Sequence, residues 1–251
     1  MIQKKIYRKV DSCVFKRNNE EFGALSNMSN FPLTINTHLV PTSEALYQSC
    51  KFPFNPDIQK RIIEEKSPMK AKMISRKYFA LCRKDWEFVR VDAMRWCLQV
   101  KLAQHYIRFG VELAKTDSKF IVENSSKDAF WGAIPNMDGT IYSGQNVLGE
   151  LLMDLRKILL SKDNASLLVV DAPIIKDFYF LGEVINTIDC RRGILKIPEN
   201  YSKEEYTFIN IILPKPVSSV EFDNQTEKSG KTKGKKKYKK KDRYNDQLQL
   251  F

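Results

Sequence analysis

Histidine is almost missing from this chain of 251 residues: only His38 and His105 occur, which argues against a histidine-rich metal centre. Cysteine is sparse and unpatterned. The five cysteines (Cys13, Cys50, Cys82, Cys97, Cys190) are odd in number and include no Cys-x-x-Cys, so neither a disulfide framework nor a zinc site is indicated. A reducing cytoplasm fits that usage. No apolar run reaches the ~18 residues of a membrane span, and Met1-Ile2-Gln3-Lys4-Lys5 leads into alternating residues rather than a signal core. The expectation is a soluble, unexported protein with no membrane partner.

What is present is basic charge, unevenly placed. Residues 228–243 hold ten Lys or Arg against one acid, Asp242, so +9 of the net +12 sits there and the rest of the chain carries +3. The basic character therefore belongs to a tail. With 43% hydrophobic residues the remainder can bury a sizeable core.

The pattern along the chain predicts an α+β fold: a helix-rich domain with a small antiparallel sheet over residues 1–164. Residues 5–16 and 34–40 alternate as short strands. Pro41 ends the second, and Thr42 or Ser43 is placed to cap a helix running to about Phe52. Asn55-Pro56-Asp57 and Ser67-Pro68 start two more helices, proline suiting a first turn where its missing N–H has no partner. Asp85 is placed to cap a long helix from Trp86 to about His105, and Trp96 lies within its apolar stripe. A last helix spans residues 145–160. Short apolar, β-branched runs at 167–170, 178–181, 194–197 and 206–213 predict a small β-rich extension over 165–222. Residues 223–246, rich in Lys, Gly, Ser, Thr and Asn, read as a disordered linker, and 247–251 regain apolar character.

On the helix after Pro41, Glu44, Tyr47, Gln48 and Lys51 fall at i, i+3, i+4 and i+7 and share one face. By pattern alone this is either a solvated side or a functional one. Asp128, in Asp128-Ala129-Phe130-Trp131-Gly132, is either a turn former or a catalytic carboxylate, and Trp131 either core or a stacking platform. Gly144-Gln145-Asn146 opens the last helix with unpaired amides and a positive dipole end that suit a diphosphate, and Gly149 one turn in would allow close approach. Arg76 and Arg156 are cations available to phosphate, or surface charges.

Three strings in order, Pro41-Thr42-Ser43-Glu44-x-x-Tyr47-Gln48-x-x-Lys51-Phe52, Asp128-x-x-Trp131-Gly132 and the Gln145–Arg156 helix, resemble the NADAR (YbiA-like) family over about residues 20–160. Ser75 stands where the family usually has glycine, and Leu25-Ser26-Asn27-Met28 where it has Phe-Ser-Asn-Phe. The resemblance implies hydrolysis of an N-glycosidic bond, with Glu44 and Asp128 as the catalytic carboxylates and Asn27, Trp86 and the residues above at the substrate. It implies no cofactor. Lys51 would either attack the opened sugar as an amine or orient the diphosphate. Within the family the best-matched activity is removal of ADP-ribose from guanine in DNA, which reverses a DNA ADP-ribosyltransferase toxin as antitoxin or phage counter-defence. A cognate toxin is thus an expected partner. Two other readings stay open: an N-glycosidase of phosphorylated riboflavin-pathway intermediates, and a non-catalytic ADP-ribose reader.

The tail points toward DNA independently. Lys235, Lys236, Lys237, Lys239, Lys240 and Lys241 can neutralise phosphates without reading sequence, or serve solubility alone. The closing Gln247-Leu248-Gln249-Leu250-Phe251 resembles the peptide by which bacterial replication and repair proteins dock on the sliding clamp, with Gln247, Leu248, Leu250 and Phe251 as contacts.

Overall fold

The computed structural model describes residues 4–192 and 201–214, all within one unit, Met1–Lys215. The sequence-predicted strand at 194–197, the Lys-rich linker and the terminal peptide lie outside the described residues. Two sheets organise the first part of the chain. Strand β1 (Lys5–Arg8) and strand β2 (Ser12–Phe15) are separated by a single helical turn, so the expected first strand is two. They diverge to different partners: β1 joins an antiparallel sheet, while β2 pairs in parallel with a strand more than a hundred residues later.

Strands β3 (Leu33–Ile35) and β4 (His38–Val40) form a hairpin whose turn places Asn36 at φ 52°, a left-handed conformation that Asn tolerates. Helix α1 (Ser43–Ser49) then starts as the sequence requires: Thr42 Oγ1 accepts from the Ala45 amide at 3.2 Å, and all seven helical residues are buried. Helices α2 (Pro56–Glu64) and α3 (Pro68–Lys77) begin at their prolines. Helix α4 (Trp86–Gln104) starts where expected, but Asp85 does not cap it. Its carboxylate is taken by Arg83, with Nε to Oδ1 at 2.6 Å and Nη2 to Oδ2 at 3.0 Å. Helix α5 (Tyr106–Ala114) follows directly.

Strand β5 (Phe120–Glu123) is the parallel partner of β2, Ser12 opposite Phe120 and Phe15 opposite Glu123. Strands β6 (Ile134–Pro135) and β7 (Ile141–Gly144) complete the three-stranded antiparallel sheet in the order β1-β7-β6. Helix α6 (Val147–Leu159) packs Leu148, Leu151, Leu152, Leu155 and Leu159 into the core on one stripe, as its spacing predicts.

The later segment is less β-rich than its composition suggests. Among the described residues its strands are the two-residue β8 (Val169–Val170), β9 (Tyr179–Phe180), β10 (Glu183–Val184) and β11 (Ile188–Asp189). Residues 206–213, expected as a strand, lie in or adjoin helix α7 (Lys203–Ile212). A capping box overrides β-propensity there: Ser202 Oγ accepts from the Glu205 amide and Glu205 returns to the Ser202 amide. Leu167, Phe180, Ile209 and Ile212 join the same buried cluster as Phe15, Leu46, Trp96 and Leu152, so the described part of the extension completes the main core.

Candidate active site

Of the predicted face, Glu44, Tyr47 and Gln48 lie on α1 and are buried, while Lys51, two residues past the end of the helix, is half-buried. Lys51 Nζ donates to Gln48 Oε1 at 2.7 Å, and Gln48 Nε2 donates to Glu44 Oε1 at 2.8 Å. Lys72 Nζ, from α3, stands 3.9 Å from the same Glu44 oxygen. Glu44 is 5% exposed and Gln48 2%, so this is a buried polar relay rather than a solvated helix side. Burial pulls the Lys51 amine below its ordinary value, against an opposing pull from Glu44.

The loop before β3 fixes the start of that helix. The Asn27 carbonyl accepts from the Glu44 amide at 3.0 Å and from Ser43 Oγ at 3.1 Å, while Asn27 Nδ2 donates to Met94 Sδ at 2.8 Å. Behind it lies Lys101, with no exposed surface. Its ammonium donates to Ala24 O at 2.7 Å, Ser29 Oγ at 2.9 Å and Ser26 O at 3.0 Å, between the Phe31 and Phe109 rings. Burial holds its pKa well below that of an ordinary lysine.

An aromatic wall faces the relay. Tyr47 packs on Trp86 with centroids 5.0 Å apart and edge-on to Trp131 at 5.5 Å. Lys51 Nζ sits 5.5 Å from the Trp86 centroid, so Trp86 is already covered and only 6% exposed. Trp131 is partly open to the cleft and is the better stacking platform. Arg90 lies 3.7 Å over the Phe130 ring beside it. Trp96 is core, as its stripe position predicts.

The 123–132 segment, which carries Trp131, supplies a further part of the cleft lining. Asp128 Oδ1 accepts from the Phe130 and Trp131 amides at 3.0 and 2.9 Å, forming an Asx turn. Its carboxylate is exposed and lines the cleft, so the turn-forming role and a position at the site coexist. Four consecutive carbonyls of that turn consume the amides at the start of α6: Gln145 N to Ala129 O, Asn146 N to Gly132 O, Val147 N to Phe130 O and Leu148 N to Trp131 O, at 2.7–3.1 Å. The expected diphosphate cradle at Gly144-Gln145-Asn146 is therefore already satisfied by protein.

Asn146 and three glycines are structural instead. Asn146, fully buried at φ 52°, donates Nδ2 to Ile121 O at 2.7 Å and accepts the Glu123 amide on Oδ1 at 3.0 Å. A Cβ on Gly149 would overlap the Ile121 carbonyl, one on Gly144 the Gly132 carbonyl, and one on Gly132 would lie 2.5 Å from Glu123 O. Arg156 is also spent inside the fold, on Thr116 Oγ1 at 2.6 Å and Lys119 O at 2.8 Å.

What these contacts hold in place is Glu123, a residue the sequence reading did not single out. It ends β5 in the cleft wall, where burial, then the nearby Glu44 and Asp128 charges, push its carboxyl up to about 7 against a partial offset from Lys72. The available signal was a charged residue closing an otherwise apolar strand, Phe120-Ile121-Val122-Glu123. Lys72 and Arg90 were likewise missed.

Glu44, Lys51, Asn27, Tyr47, Gln48, Arg76, Trp86, Asp128 and Trp131 all border one cleft of about 360 Å³, within the range of small-ligand sites. Gly132, Gly144, Asn146 and Gly149 support it from behind. Four carboxyls (Glu44, Glu87, Glu123 and Asp128), cations from α3 and α4 together with Lys51 just past α1, and one open indole face suit a phosphorylated sugar joined to a planar base. Among the described residues no group of three His, Cys, Asp or Glu side chains is placed to hold a metal ion.

A family model described as the NADAR domain matches residues 14–160. Over 145 residues the chain is 34% identical to the N-glycosidase YbiA of Escherichia coli (strain K12), covering 58% of this chain and 86% of that protein. It is 32% identical over 145 residues to a riboflavin biosynthesis protein of Vibrio vulnificus (strain YJ016), of which it covers 38%. The NMR structure of E. coli YbiA superposes with a TM-score of 0.51 at 32% identity, covering 59% of this chain and 84% of that one.

Proposed function

The chain belongs to the NADAR family, and on that premise we propose that it is an N-glycosidase whose substrate is ADP-ribose linked to guanine in DNA. The observation that carries the reading is the pair Glu44 and Glu123 in one cleft: a carboxylate held beside the Lys72 ammonium, and a carboxyl that keeps its proton to about pH 7. Cleavage at a ribose anomeric carbon builds oxocarbenium character, which a carboxylate stabilises, while departure of the base is helped by a proton donor. Glu44 takes the first role and Glu123 the second. Asp128, tied by its turn, positions water or a ribose hydroxyl. Lys51 and Arg76 meet the diphosphate, and Trp131 the base. Support for DNA is the tail, in which six of seven residues from 235 to 241 are lysine.

The names borne by two relatives favour a second reading, a small phosphorylated riboflavin-pathway intermediate as substrate. One experiment separates them: the full chain is incubated with single-stranded DNA bearing ADP-ribosyl guanine and, in parallel, with the riboflavin intermediates, and the released sugar is followed by mass spectrometry. ADP-ribose release that falls about 10²–10⁴-fold in Glu44→Gln supports the proposal. Turnover of the riboflavin intermediates alone refutes the DNA reading, and a fully active Glu44→Gln refutes the assignment of Glu44.

A further inference from the structure

Beside the cleft lies a second concentration of positive charge, inside the folded body. Residues 66–84 contain seven Lys or Arg and no Asp or Glu. Residues 1–215 hold 32 Lys or Arg against 25 Asp or Glu, a net of +7, so the rest of that unit nets zero and its whole excess of positive charge falls in this stretch.

Two of the seven are committed, Lys72 to Glu44 and Arg83 to Asp85. The other five, Lys66, Lys70, Arg76, Lys77 and Lys84, are exposed and form no ion pair among the described residues. On α3 the spacing puts Lys70, Met73 and Lys77 on one outward face, with Met69 and Arg76 adjoining it. Large apolar side chains are exposed close together along the same stretch: Met69 55%, Met73 60%, Phe79 66%, Leu81 54% and, just beyond it, Phe88 87%. Lys72, Arg76 and Phe79 lie on the lip of the cleft, so the surface runs continuously into the site.

We propose that residues 66–88 form the docking surface for the single-stranded nucleic acid that carries the modified base, with backbone phosphates on the exposed cations and flanking bases stacked on Phe79 and Phe88. Phosphate attraction combined with open aromatic faces is what single strands require, because their bases are free to stack. Duplex DNA keeps its bases covered and leaves the aromatics unused. The inference rests on the DNA reading of the cleft for its biological meaning, but not for its test.

The test is fluorescence anisotropy of an unmodified 15-nucleotide single strand with the full chain, across a salt series. Two backgrounds are used, the native tail and a tail with Lys235, Lys236, Lys237, Lys239, Lys240 and Lys241 changed to Gln. In both, Lys70→Gln/Lys77→Gln/Lys84→Gln lowers the slope of log K against log salt by about 2, at roughly 0.7 per phosphate contact. Phe88→Ala weakens single-strand binding by about 5- to 150-fold and leaves duplex binding unchanged. An unchanged slope and affinity in the neutral-tail background overturns the proposal, since the 66–88 surface then contributes nothing to binding. Equal effects of Phe88→Ala on single strand and duplex overturn the stacking. Hydrolysis of free ADP-ribosyl guanosine stays at the wild-type rate in the triple-Gln variant. If the wild type hydrolyses no ADP-ribosyl guanine while strand binding behaves as stated, the enzymatic reading fails and the docking surface stands.

Discussion

Glu123→Gln should stabilise this protein at alkaline pH and inactivate it at every pH. Among the described residues the Glu123 side chain makes no hydrogen bond, so the substitution removes the charge and little else. Its carboxyl titrates near 7 in the fold against an ordinary 4.5. The folded state therefore binds more protons than the unfolded chain between those values, and wild-type stability falls as pH rises through that window. At ~1.4 kcal/mol per pH unit, ionised Glu123 destabilises the fold by about 3 kcal/mol above pH 7.5. For a domain of this size that is about 6–12 °C in Tm. Thermal unfolding of both proteins from pH 4.5 to 8.5 reads it directly: the variant melts higher by that margin at pH 8, and the curves converge near pH 4.5. A gap that stays constant with pH would refute the argument, because a loss of packing has no reason to titrate. Glycosidase activity measured on the same samples falls about 10²–10⁴-fold, as loss of a general acid requires.

Gly149→Ala drives a methyl group into the Ile121 carbonyl and the Asn146 amide, separating α6 from β5. It should lower stability by about 2–3 kcal/mol, read as a Tm drop of roughly 4–12 °C by calorimetry, with activity lost as Glu123 shifts. Lys101→Met deletes three hydrogen bonds behind the Asn27 loop and should raise KM more than it lowers kcat. Because the folded pKa of Lys101 lies below its unfolded value, the wild type gains stability as pH rises toward 10, and denaturant titrations of the Met variant should lack that gain.

Local signals carried far in this chain. The Pro41-Thr42 stop-and-cap, the four-residue face on α1 and the stripe on α6 were legible because each depends on spacing within a few turns. They bring Glu44, Asp128 and Trp131 to one cleft, as the motif resemblance implied. What escaped was set by partners distant in sequence. The amides opening α6 look free until the 129–132 turn folds over them, and Gly144 and Gly149 look like ligand-facing glycines until the backbones behind them are placed. Glu123 gains its character from Glu44, far off in the chain, which no window around β5 contains. The helix at 203–212 is a different case: Ser202-x-x-Glu205 ahead of an apolar run was a readable start signal, outweighed by the β-branched composition that follows.

The pairing of β2 with β5 joins segments that leave the ribosome more than a hundred residues apart. Ser12 must wait for Phe120 to leave the ribosome, and the end of β5 must wait again for Asn146 to latch it. Non-local parallel pairing is slow to form. A nascent chain that has released α1 through α5 thus possesses Glu44, Tyr47 and Trp86, but neither Glu123 nor Trp131. The cleft is complete only when β2 has closed on β5 and Asn146 has latched the end of that strand.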